Sequence, residues 1–125
     1  MNKALNLAGR ILLAQMFILS GFSKIGGYVG TQAYMASVGL PGALLPLVIA
    51  LELLGGLALI AGIKTRWVAF ALAGFSVVSA LVFHTHFGDP MQLINFMKNL
   101  AIAGGLLLLA QIGAQGFSIE RTREV

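Results

Sequence analysis

The residues of this 125-residue chain that could do chemistry are nine polar side chains within or beside its long apolar stretches. They comprise three cations, one carboxylate, two imidazoles and three amides: Arg10, Lys24, Lys98, Glu52, His84, His86, Gln15, Asn95 and Asn99. Cations and amides bind oxygen-rich ligands, while carboxylate and imidazole groups transfer protons. We therefore predict a polar ligand site, with Glu52 and His84 as the candidates for proton handling.

The spacing of these residues predicts shared helix faces. Arg10 and Lys24 are separated by two heptads, so both cations fall on nearly one face of a first helix. Asn95, Lys98 and Asn99 have i, i+3, i+4 spacing, which places them together on the last helix. Each of these helices is thus expected to turn a polar stripe toward a partner.

Glu52 is the only acidic residue deep in an apolar stretch. A carboxylate in hydrocarbon needs a cation or several donors, and Arg10 and Lys98 are the expected partners, with Gln15 at a similar depth. Three cations, counting Lys24, then face one carboxylate, and the surplus predicts a quinone carbonyl, a lipid phosphate or a small oxyanion as guest. The alternative is a buried ion-pair network that only registers the helices.

His84 and His86 are weak candidates for a metal site. Residues two apart point to different sides of a helix, and no third strong ligand has suitable spacing. We predict no metal here, and favour proton exchange with a ligand or interfacial hydrogen bonding.

The elements that must position these groups are transmembrane helices. The chain is 58% hydrophobic and 10% charged, which excludes an ordinary soluble domain. Four stretches are long enough to span a bilayer: roughly 5–23, 43–63, 66–86 and 91–112. They predict an all-α, four-helix transmembrane bundle, a single membrane domain followed by a tail at 113–125. No cleavage site follows the first stretch at a useful place, so we expect it to be a retained span.

The loop between the first two spans, 26–42, is the longest. Its apolar residues Tyr34, Met35, Val38 and Leu40 predict a short interfacial helix before Pro41, with an ordinary connector as the alternative. Small residues in the second and fourth spans favour close helix packing, within one chain or in a homodimer.

The charge pattern predicts orientation rather than a nucleic-acid partner. The net charge is +4, but the basic residues are scattered and form no basic face. They concentrate at the N-terminus, the second loop and the tail, so both termini are expected on the cytoplasmic side of a bacterial inner membrane. The chain has no cysteine, which excludes thiol redox chemistry.

Several segments, in this order and spacing, resemble the DoxX family of small bacterial membrane proteins over nearly the whole chain. They are Arg10, FILSGFSKI at 17–25, YMASVGLP at 34–41, ELLGGLAL at 52–59, GIKTR at 62–66 and NFMKNL at 95–100. The resemblance implies a four-helix membrane fold and an association with quinone-linked oxidoreduction, including relatives described as thiosulfate to quinone oxidoreductase subunits. The family's characteristic positions would be Arg10, Lys24, Glu52, His84, Lys98 and Asn99.

These observations together predict a quinone-binding or redox-associated membrane subunit. Arg10, Lys24 and Lys98 would hold the headgroup of a bound quinone. The chain lacks flavin and haem signatures, so no intrinsic cofactor is expected and a soluble redox partner would be required. The alternatives are a small transporter or lipid- or anion-binding protein, and a membrane scaffold for a soluble oxidoreductase.

Overall fold

The computed structural model describes residues 2–85 and 87–119. Within these ranges the chain forms five α-helices and one short 3-10 turn: α1 (Asn2–Gly26), α2 (Tyr28–Ser37), the 3-10 turn (Gly42–Leu44), α3 (Leu45–Ala61), α4 (Thr65–Phe83) and α5 (Pro90–Ile112). Helices α1, α3 (with the 3-10 turn), α4 and α5 are long and apolar enough to cross a membrane. The predicted fold class is confirmed. A short helix, α2, lies between the first two spans as predicted, but it ends at Ser37, so Val38 and Leu40 lie beyond it.

Local sequence explains where the helices end. Helix α3 stops at Ala61 because Gly62 adopts a left-handed conformation, with φ of 73°. Helix α4 ends at Phe83, three residues before the predicted limit, and its C-cap His84 leaves helical geometry with φ of −127° and ψ of 43°. Helix α5 then begins under an N-cap, in which the Asp89 carboxylate accepts a hydrogen bond of 2.9 Å from Met91 N.

The bundle consists of two antiparallel helix pairs. Helix α1 packs along α3, and α4 packs along α5. Glycine makes the first pairing close: a Cβ atom on Gly56 would lie 2.7 Å from Ile18 Cγ1 and 3.1 Å from Ala14 O. Buried residues that include Phe17 and Leu72 form the core between the pairs.

The two ends of the bundle differ. The N-terminus of α1, the turn at 62–64 and the segment 113–119 share one end, here named the terminal end. At the opposite end, named the α2 end, helix α2 lies against α4: the Tyr34 hydroxyl donates to Phe83 O over 3.3 Å, and the two rings lie 5.2 Å apart. Helix α2 therefore forms a roof over that end.

Part of the predicted tail belongs to the folded bundle. Ile119 N donates to Ala61 O over 2.8 Å, and Asn6 bonds to Gly113 O and Gln115 N. Residues 113–119 thus pack across the terminal end, while 120–125 lie outside the described residues.

Candidate functional site

A cavity of about 520 Å³ lies between the two helix pairs, under the α2 roof. Its walls are mainly apolar, and both pairs contribute polar side chains to it. The polar lining residues are Ser20, Lys24, Thr31, Tyr34, Glu52, Ser76, Ser79, His84 and Asn99. A mostly apolar pocket with a few convergent polar groups is typical of small-molecule sites.

The cavity contains an ion pair between α1 and α3. Lys24 Nζ lies 2.8 Å from Glu52 Oε1, and also donates to Ser20 Oγ over 2.6 Å. The Glu52 side chain is only 3% exposed and that of Lys24 is 27% exposed. Gly21 allows the close approach of α1 and α3 here, since a Cβ atom there would lie 2.7 Å from Leu53 Cδ2.

The geometry of this pair leaves bonding capacity on the carboxylate. The charged atoms of Lys24 and Glu52 are close, and no other described residue donates a hydrogen bond to Glu52 Oε1. The contact is an ion pair by distance. The Glu52 carboxylate also lines the cavity, so it can accept a hydrogen bond from a ligand there.

The prediction that Arg10 or Lys98 would pair with Glu52 was wrong. Helices α1 and α3 are antiparallel, so Lys24 near the end of α1 reaches the height of Glu52. Arg10 lies fourteen residues earlier on α1, which is about 21 Å along the axis.

The opposite wall carries an amide and an imidazole. Asn99 Nδ2 donates to Ser76 O over 3.3 Å, which joins α5 to α4. His84, the C-cap of α4, contacts the Gln92 amide oxygen through Nδ1 at 3.0 Å. Since that oxygen only accepts, Nδ1 is the donor in this contact.

Arg10 has a different function from the one predicted. It is completely buried at the terminal end, where Nε donates to Asn6 Oδ1 over 2.9 Å. Nη1 donates to the Leu59 and Ile60 carbonyls, at 3.1 and 3.2 Å, and Nη2 to Phe117 O at 2.6 Å. These carbonyls are the unpaired acceptors at the end of α3 and in the returning segment. Arg10 thus fastens α1, α3 and 113–119 together, remote from the cavity.

Three further predicted site residues do not line the cavity. Gln15 is exposed on α1, because it follows buried Ala14 by 100° of helix rotation. Lys98 is exposed because it is rotated by 100° around α5 from Asn99, which lines the cavity. Asn95 is half-buried and does not line the cavity. The polar face predicted for α5 is therefore divided between cavity and surface.

The structure thus brings together Lys24, Glu52, His84 and Asn99 from the predicted set. Sequence reasoning missed the cavity hydroxyls, which resemble ordinary small residues in apolar helices; the signal at Ser20 was its position four residues before Lys24. His86 lies outside the described residues. Among the residues that are described, no three His, Asp or Glu side chains are placed to hold a metal ion.

The fold and cavity define a small four-helix integral membrane protein with an ion pair in a pocket at one end of the bundle. The family model described as DoxX matches residues 5–85, and the chain belongs to the DoxX family.

Similar proteins agree with this assignment. The chain is 50% identical to "Inner membrane protein YqjF" of Escherichia coli (strain K12) over 115 residues, 92% of this chain and 88% of that protein. It is 36% identical to "Inner membrane protein YphA" of the same strain, over 92% of this chain and 87% of that protein. It is 31% identical to "Putative oxidoreductase CatD" of Bacillus subtilis (strain 168), over 66% of this chain and 63% of that protein. No solved structure matches. The chain is therefore an inner-membrane protein of the DoxX family.

Proposed function

We propose that the cavity binds the headgroup of a quinone or its quinol, and that the chain is the membrane subunit of a redox system. The observation that carries this proposal is the Lys24–Glu52 ion pair, held in a mostly apolar cavity of about 520 Å³. Pockets of this size hold drug-sized organic molecules.

The charge balance of the cavity favours a neutral ligand over an anion. Arg10 is engaged at the terminal end and Lys98 is exposed, so the surplus of cations inferred from sequence is not in the cavity. Lys24 and Glu52 compensate each other there. A phosphate or oxyanion would have to separate Lys24 from Glu52 and leave a buried carboxylate without its cation, which is costly.

A quinone and its quinol match the donors and acceptors of both walls. A quinone carbonyl can accept a hydrogen bond from Lys24 Nζ, and a quinol hydroxyl can donate to the Glu52 carboxylate. Oxidation of a quinol releases two protons and two electrons. Glu52 and His84 are suited to take the protons, while the electrons would pass to a soluble redox partner. The name of the Bacillus subtilis relative supports a role linked to oxidoreduction.

We also propose that the termini face the cytoplasm, which places the cavity in the periplasmic half of the membrane. Lys3, Lys64 and Arg66 lie at the terminal end, as positive-inside topology requires. A C-terminal green fluorescent protein fusion should fluoresce, and a C-terminal alkaline phosphatase fusion should be inactive; the reverse pattern would refute this orientation.

Quinone binding can be tested on protein purified into lipid nanodiscs. A water-soluble naphthoquinone should bind the wild type. Lys24→Met should raise the dissociation constant of this naphthoquinone at least tenfold, because a charge-assisted hydrogen bond is lost. Lys98→Met is the matched control: it removes the same charge from an exposed site and should leave affinity unchanged. Absence of binding to the wild type, or equal losses in the two variants, would contradict the proposal. Saturable binding of inorganic phosphate instead would favour the anion alternative.

A further inference from the structure

The cavity lies on the α2 side of the contacts between the two helix pairs, and some of its lining residues are also exposed at the sides of the bundle. The pairs meet near the middle: a Cβ atom on Gly55 would lie 3.2 Å from Leu72 Cδ1, and one on Gly105 would lie 3.5 Å from Leu13 Cδ2. Beyond these two contacts the cavity separates the pairs. It therefore approaches the lipid-facing surface along two seams, one between α3 and α4 and one between α1 and α5.

The seam between α3 and α4 is mainly apolar, although Ser79 on α4 also lines the cavity. Leu44 and Val48 line the cavity on its α3 side, and Val78 and Val82 line it on α4. Val78 is also 58% exposed, and Leu44 is exposed as well. A side chain that both lines a cavity and is exposed stands at its mouth. The cavity thus opens through this apolar seam onto a surface that faces hydrocarbon.

The seam between α1 and α5 has different chemistry. Its lining includes Met16 and Ile102, but also the polar residues Ser20 and Asn99. Lys98, the residue before Asn99, is exposed on the outer surface of α5. A hydrocarbon chain placed there would cover polar groups without offering them partners, which is unfavourable.

We propose that the ligand is a tailed amphiphile whose isoprenoid or alkyl chain leaves the cavity through the apolar seam into the bilayer. This inference rests on the proposed function, because the ion pair between Lys24 and Glu52 receives the headgroup. The tail would have apolar contacts with Val48, Val78 and Val82. It therefore stays in an apolar environment as it passes from the lipid into the seam. The ligand then enters sideways from the membrane, and the α2 roof need not open.

The test compares a tailed quinone with a tailless naphthoquinone in nanodiscs. Val78→Trp should fill the seam and raise the ratio of the two dissociation constants, tailed over tailless, at least tenfold. Leu81→Trp is the matched control, since Leu81 is exposed on α4 and does not line the cavity. Met16→Trp fills the opposite seam instead. Both of these variants should leave the ratio unchanged.

Labelling provides a second measurement that does not require a bulky side chain to be tolerated. The chain has no cysteine, so single Val78→Cys and Leu81→Cys variants can be labelled selectively with a maleimide. Bound tailed quinone should slow labelling of Val78→Cys at least fivefold, and leave Leu81→Cys unchanged.

The outcomes separate the two proposals. If both quinones bind the wild type but the ratio changes with Met16→Trp and not with Val78→Trp, the apolar seam is not the route. Equal labelling rates with and without the tailed quinone at Val78→Cys would likewise overturn it. If neither quinone binds the wild type, the proposed function fails and this inference fails with it.

Discussion

Substituting Lys24 in the buried ion pair should lower the free energy of unfolding more than substituting Glu52. Lys24 Nζ and Glu52 Oε1 are 2.8 Å apart, and at an effective dielectric constant of about 20 their attraction is roughly 6 kcal/mol. This is an upper bound, because the Lys24 side chain is 27% exposed and partly screened by solvent. Breaking a buried pair by removing one partner typically costs about 3–5 kcal/mol.

The asymmetry follows from burial. Lys24→Met leaves an almost completely buried carboxylate without its cation, so we expect a loss of about 3–4 kcal/mol in the free energy of unfolding. Glu52→Gln leaves Lys24 with its Ser20 contact and its exposed portion, so the loss should be about 1–2 kcal/mol. The double variant carries no unpaired charge and should fall within about 1 kcal/mol of the wild type.

The assay is a double-mutant cycle, with unfolding followed by circular dichroism in mixed micelles of increasing denaturing detergent. We expect a coupling free energy of about 3–6 kcal/mol between the two positions, because the double variant should recover nearly all of the two single losses. Additive losses, with the double variant the least stable of the set, would show that Lys24 and Glu52 do not interact in the folded protein. That result would also remove the basis for a neutral cavity.

Three further substitutions test the packing that positions the cavity. Arg10→Met should lower the free energy of unfolding by about 3 kcal/mol, since three backbone carbonyls lose a charged donor. Arg10→Lys should recover only part of this loss, and equal stability of Arg10→Lys and the wild type would contradict the multidentate role. Gly56→Ala should lower the free energy of unfolding by about 1–3 kcal/mol, because its Cβ atom would force α1 away from α3. Gly104→Ala, with no atom within 4 Å of its new Cβ, should be neutral or slightly stabilising. Thermal unfolding of both variants tests this, and similar melting temperatures would refute the close contact. Asp89→Ala should lower the free energy of unfolding by about 1 kcal/mol, because it removes the N-cap of α5, whereas Asp89→Asn retains the cap. The same thermal assay measures both variants, and equal losses in the two would argue against capping.

Sequence alone determined the membrane fold and the helix count because both depend on local composition. A stretch of about 20 apolar residues must be helical in a bilayer, whatever its neighbours are. The roof helix was equally local: Tyr34 and Met35 lie in an apolar segment that ends before Pro41. The limits of the spans differ from the predicted ones by at most three residues, and Asp89 with Pro90 marks the start of α5.

Sequence periodicity also determined that Arg10 and Lys24 point inward, but not what they meet. Helical spacing fixes the direction of a side chain around its axis, whereas its partner depends on the register of the neighbouring helices. Register results from contacts distant in sequence, such as Gly56 against Ile18 and the return of 113–119 to Asn6. Those contacts place Lys24, rather than Arg10, at the height of Glu52.

Tertiary structure alone decided which polar groups share the cavity. Asn99 faces it and Lys98 does not, although the two are adjacent in sequence, because α5 packs on α4 through the face that Asn99 occupies. An intramembrane cation has two ways to lower its cost, a protein partner or the membrane interface, and composition does not distinguish them. Only the packing of the two helix pairs makes that choice.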